Sequence, residues 1–281
     1  MRQFCHKVNP RHILAILDQI DAESPSYTLD RPAAMRRVFA TLACVSLCLL
    51  IIHYMKYFTT FSAFLTMLSQ LQDEHPRYWL SQLQQSGILQ LVGYGWWTFW
   101  HFVGFIVLPF ITIKYVMKAR ISDMGWRWGA TSQHWLAYVL LISPILFFIF
   151  LVSFRDDFLN HYPFYKLAHR SWFDLLAWEC LYLFQFICLE FFFRGFIINA
   201  LRPAIGANAV WVMCVPYLMI HFPKLWPEAT GAILFGLFLG ILAIRSRSIW
   251  GGIMVHAGIA VTMDVVSLLR QDKLPVDWLP F

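Results

Sequence analysis

Trp172–Leu201 reads WFDLLAWECLYLFQFICLEFFFRGFIINAL, a long apolar run with Glu179, Glu190 and Arg194 set inside it. A spanning helix needs about 20 mostly apolar residues, because each adds about 1.5 Å across a hydrocarbon core of about 30 Å. Trp172–Leu201 exceeds that length. Six further runs read the same way: Val38–Phe58, Ile88–Val116, His134–Phe154, Asn208–His221, Ala229–Ile244 and Ser248–Leu269. Asn208–His221 and Ala229–Ile244 are short and lean on the Pro-containing stretch His221–Glu228. Short interrupted spans tend to line a cavity. Ser62–Gln72 reads as a further short or interfacial helix. The expected fold is all-α, a polytopic membrane helix bundle of about seven to eight transmembrane helices.

Composition agrees. Hydrophobic residues make up 59% of the 281 and charged residues 14%, whereas a soluble domain carries roughly 25% charged residues. Disorder is excluded by 26 Phe, 13 Trp and 11 Tyr, which cannot stay solvated. The formal charge of +6 reads as membrane topology and not as nucleic-acid binding, since the bases flank apolar runs. With the N-terminus inside, 13 Lys and Arg fall on the cytoplasmic side and 8 on the other. An N-terminus in the cytoplasm is expected, with the bilayer as a partner. No CxxC pair occurs, so neither a disulfide framework nor a thiolate zinc site is suggested. The polar residues before Val38 do not form a cleavable signal. They divide the chain into a polar arm, 1–35, and a membrane domain, 36–281, whose motif core spans about 172–269.

Charges in hydrocarbon cost at least a few kcal/mol each and are functional candidates by default. His53 and His101 stand alone on apolar helices and read as structural, satisfied by a backbone carbonyl. The C-terminal half instead concentrates Glu179, Glu190, Arg194, His221, His256 and Asp264. Glu190 and Arg194 are spaced i, i+4 and share a helix face. Counted from Arg202, Asn208 and Arg247, Glu190, His221 and His256 lie about 18, 20 and 14 Å into the membrane at the helical rise. A carboxylate and two imidazoles at one level suit general-base activation of a trapped water, with Arg194 holding the carboxylate and a histidine stabilising an oxyanion. The same Glu190, His221 and His256 could instead hold zinc, although HExxH is absent. A proton relay is a third use of these residue types. Glu179 is expected near the outer interface and away from the chemistry.

The stretch from about Leu181 to Asp264 resembles the type II CAAX prenyl endopeptidases, the CAAX protease and bacteriocin-processing (Abi) family. Its motifs EExxxR, FxxxH and HxxxN correspond to LEFFFRG at Leu189–Gly195, YLMIH at Tyr217–His221 and HAGIA at His256–Ala260. Between them, GAILFGLFLGILAIRSRSIWGGIMVH matches the family's glycine-rich helix and basic turn, and Gly231, Gly236 and Gly240 read as close-approach positions. The resemblance implies a helical intramembrane protease of the glutamic type. Glu190 would be the base, Arg194 its positioning partner, His221 and His256 the water and oxyanion ligands, and Asp264 a supporting partner of a histidine. No cofactor is expected. Leu189 stands at the family's first Glu, Tyr217 at its Phe and Ala260 at its Asn. A shift of one position turns a side chain by about 100° on an α-helix. Two outcomes follow: an endopeptidase with a variant site, or an inactive relative that binds peptides as an immunity or scaffold protein.

Overall fold

The computed structural model describes residues 10–23, 28–224 and 226–280. Cys5 and the bases Arg2 and Lys7 lie outside them. Among the described residues all regular structure is helical. The main helices are α1 (Pro10–Glu23), α2 (Arg31–Met55), α3 (Phe58–Leu71), α4 (Tyr78–Gln85), α5 (Leu89–Phe102), α6 (Trp135–Val152), α7 (Asp156–His161), α8 (Trp172–Glu190), α9 (Ile198–Ile205), α10 (Ala209–Met219), α11 (Trp226–Ser246) and α12 (Trp250–Arg270).

Six segments are long and apolar enough to cross a membrane: Arg31–Met55, Leu89–Val116, Thr131–Val152, Trp172–Met219, Glu228–Ser246 and Trp250–Arg270. They account for the seven runs because Trp172–Met219 holds both the fourth and most of the fifth. The chain is an integral membrane protein. Ser62–Gln72 falls largely in α3, which is 14 residues long and too short to span.

The chain divides into two compact units. The first takes in the described residues of Met1–Ser46 together with Leu108–Leu136 and Glu190–Gly252. Here α1 turns a stripe of Ile13, Leu17 and Ile20 inward, spaced i, i+4, i+7 as one helix face requires. Its Asp21 accepts a hydrogen bond from the Ala207 amide at 2.8 Å. Gly240 packs against Val210, Met213 and Ile198, and Gly236 against Tyr217 and Cys214, so a Cβ at either would crowd its neighbours. Gly231 differs from the sequence expectation: it faces open space.

The second unit comprises Leu47–Val107, Ala137–Leu189 and Ile253–Phe281. Its core gathers Tyr165, Ala168, Leu175, Trp178, Tyr182, Ala260 and Leu268. Trp178, Tyr182 and Phe186 recur every four residues along α8, with ring centroids 4.9 and 4.8 Å apart. That spacing puts bulky rings on one face, and stacking them fixes it.

Candidate active site

Glu190 is the last residue of α8. Phe191–Ile197, which follows, is a π-helix carrying Arg194. Bonds from i to i+5 widen the turn, and such segments are frequent at functional sites. The uniform α register behind the 100° offset between Leu189 and Glu190 therefore ends at Glu190. Gly195 lies within this wide turn, where a Cβ would come 2.7 Å from the Met124 carbonyl oxygen. A larger residue there would push the segment off the loop it packs on.

Both charged groups are fully buried, and Arg194 Nη1 lies 3.0 Å from Glu190 Oε1. The i, i+4 pair read from sequence forms. Gly252 makes room for the carboxylate, since a Cβ there would run into Glu190 Oε2. The Arg194 guanidinium carbon sits 4.1 Å from the centroid of the Tyr217 ring. A cation held over an aromatic face away from water gains about 2 kcal/mol, so Tyr217 supports Arg194 from the side and Glu190 neutralises it.

Tyr217 also touches the next candidate. Its ring is 4.7 Å from that of His221, and its carbonyl oxygen lies 2.7 Å from His221 Nδ1. A carbonyl only accepts, so Nδ1 carries the proton and Nε2 is the lone-pair nitrogen of the neutral ring. Glu190, Arg194, Tyr217 and His221 thus form one connected chain within the first unit. His221 stands just past α10 and is half-buried, so the chain leads from a buried acid to a reachable imidazole.

His256 and Asp264 fall in the second unit. The His256 ring lies parallel to Phe186, with centroids 5.3 Å apart and planes 10° apart. Asp264 accepts a hydrogen bond from Trp178 Nε1 at 2.7 Å. Two turns of α12, about 12 Å at the helical rise, separate it from His256. Ala260, between them, is fully buried in the aromatic core. Glu179 is buried, and its carboxylate oxygens have no hydrogen-bond partner among the described residues. Of the two lone histidines, His101 is buried with Nδ1 2.7 Å from the Trp97 carbonyl, whereas His53 is exposed beside Tyr54 and Tyr57.

Sequence reasoning passed over Gly252, Phe186 and the stacking role of Tyr217. The available signals were the Gly251–Gly252 pair one turn before His256 and the i, i+4 spacing of the α8 rings. Among the described residues no group of three or more His, Cys, Asp and Glu side chains could hold a metal ion.

Against this geometry, residues 170–262 match the family model described as type II CAAX prenyl endopeptidase Rce1-like. The match includes Glu190, Arg194, His221 and His256 and stops short of Asp264. No curated protein and no solved structure matches the chain.

Proposed function

We propose that this membrane protein, with its segment similar to type II CAAX prenyl endopeptidases, is an intramembrane endopeptidase that hydrolyses a peptide bond in a membrane-associated or lipid-anchored protein. The observation that carries the reading is the buried Glu190–Arg194 pair, within the matched segment, with glycine at a position where a side chain would run into the carboxylate. Glu190 takes a proton from water as the water oxygen attacks the scissile carbonyl carbon. His221 accepts a hydrogen bond from that water on its Nε2 lone pair and orients it, and His256, on its motif position, donates to the oxyanion that forms. Glu190 then returns the proton to the leaving amine as the carbon–nitrogen bond breaks. Arg194 holds Glu190 ionised and oriented. Asp264, fixed by Trp178, supports the helix that carries His256.

No metal takes part in this reading, because the guanidinium beside Glu190 repels a divalent cation. We place the chain in a bacterial inner membrane with its N-terminus in the cytoplasm, on the uneven distribution of Lys and Arg.

The test is cleavage of a membrane-anchored peptide by the whole chain in liposomes, run in ¹⁸O-labelled water. The expected result is one labelled oxygen in the new carboxyl group, with turnover surviving a chelator wash. A second reading rests on Ala260, whose burial in the aromatic core leaves that motif position without a polar group. It makes the chain an inactive peptide binder, and a wild type that binds the peptide and never cuts it would establish that instead.

A further inference from the structure

A groove of about 700 Å³ in the second unit, lined by residues that include Met55, Thr60, Phe64, Met67, Trp96 and Trp100, plays no part in the proposed chemistry. Its walls are almost wholly apolar, and Phe64 and Met67 are exposed along it. Trp96 and Trp100 belong to a segment read as crossing the membrane, so hydrocarbon is the surrounding medium.

The polar groups along it are few. Trp96 Nε1 donates to the Met55 carbonyl oxygen at 2.7 Å, and the Thr60 hydroxyl donates to the same oxygen at 2.7 Å. Trp100 Nε1 is buried and has no hydrogen-bond partner among the described residues. A buried N–H without an acceptor is destabilising, so an acceptor from outside the chain is favoured there.

The second polar feature is Lys56, which follows the groove residue Met55 in the bend between α2 and α3. It is half-buried, and its contact among the described residues is the neighbouring Tyr57 ring at 5.5 Å, with no carboxylate in ion-pair reach. Burial without a counter-charge pushes its ammonium below the usual lysine range. Trp96 is level with Met55 through their hydrogen bond, and Trp100 lies one turn, about 6 Å, farther along the helix. The groove therefore combines an N–H donor on an aromatic, apolar wall with a cation on the residue that follows Met55.

We propose that this groove binds an anionic phospholipid, with its phosphate at Lys56, an ester carbonyl on Trp100 Nε1–H and an acyl chain along Phe64, Met67 and Trp96. A phosphodiester supplies the missing counter-charge, and lysine near a bilayer surface favours anionic over zwitterionic lipid. The site stands independently of any peptidase activity.

The experiment is native mass spectrometry of the whole chain, extracted in mild detergent from phosphatidylcholine vesicles carrying phosphatidylglycerol as the minority lipid. The wild type is expected to retain phosphatidylglycerol stoichiometrically and well above its share of the vesicle. Lys56→Gln is expected to lower that enrichment about fivefold while phosphatidylcholine retention stays constant. Trp100→Phe keeps the ring and removes the N–H, and lowers retention of both lipids by a similar factor with an unchanged melting temperature. Because Lys56 is in a turn, its variant reports even if Trp100→Phe folds poorly. No retained lipid, retention in the vesicle ratio, wild-type retention by both variants, or displacement of the lipid by added sodium phosphate would each overturn the proposal.

Discussion

In the second unit Arg170 grips Asp174 with two nitrogens, at 2.8 and 2.9 Å, while Tyr165 and Ser171 donate to the same carboxylate at 2.7 and 2.8 Å. In the first unit Arg194 Nη1 lies 3.0 Å from Glu190 Oε1, and the guanidinium sits over the Tyr217 ring. Both pairs are spaced i, i+4 and both carboxylates are buried. A carboxylate offers about four lone-pair sites. Asp174 has a donor for each and is a fastener between a loop and a helix start. Glu190 is held by Arg194, itself backed by Tyr217, and is bordered by a glycine, which suits a group that exchanges a proton with water. Spacing makes a pair, and what borders the carboxylate, hydroxyl donors at Asp174 and a glycine at Glu190, separates the structural tie from the proposed reagent.

The largest effect expected from breaking this contrast is on stability at Asp174. In Asp174→Asn the new NH₂ faces donors whichever way the amide is turned, so the arginine is left uncompensated. Loss of a buried pair in this manner costs about 3–5 kcal/mol, read as a fall in thermal midpoint, with turnover per folded molecule retained. Gly252→Ala should come next. Its Cβ drives the Glu190 carboxylate off Arg194, at about 1–3 kcal/mol for a small-to-large change in a packed site, and turnover should fall further than stability. Gly231→Ala, in open space on α11, serves as its control and should leave both unchanged or slightly raise stability. The smallest effect is at Tyr165, whose phenol burial and Asp174 push well above the usual tyrosine range, so that it stays protonated as a donor. Tyr165→Phe removes one donor of four and should cost about 0.5–1.5 kcal/mol by the same melting measurement.

The membrane runs were legible because hydrophobic length is a property of consecutive residues. So was the Glu190–Arg194 pair, whose spacing needs no tertiary information. The end of the α register at Glu190 was not, since Phe191–Ile197 is as apolar as an ordinary helix and only Gly195 hints at the wide turn. Trp178 as the partner of Asp264 lies 86 residues away in the chain, and no local pattern encodes that distance. Trp178, Tyr182 and Phe186 read as ordinary membrane core, and the parallel seat of His256 on Phe186 depends on how α12 meets α8. Gly231 shows the converse: its place in a glycine-rich helix suggested close approach, and its neighbours are absent.

The most direct test sets Glu190→Gln beside Asp174→Asn in the same membranes, measuring peptide turnover and thermal midpoint for each. Glu190→Gln can keep its oxygen toward Arg194, while Tyr217 still supports the guanidinium. It should therefore melt well above Asp174→Asn and lose about 10²–10⁴ in turnover, the loss of a general base. Asp174→Asn should melt lowest and keep its turnover per folded molecule. Undiminished turnover in Glu190→Gln, or losses in both variants that merely follow the folded fraction, would contradict the assignment of Glu190 as the base.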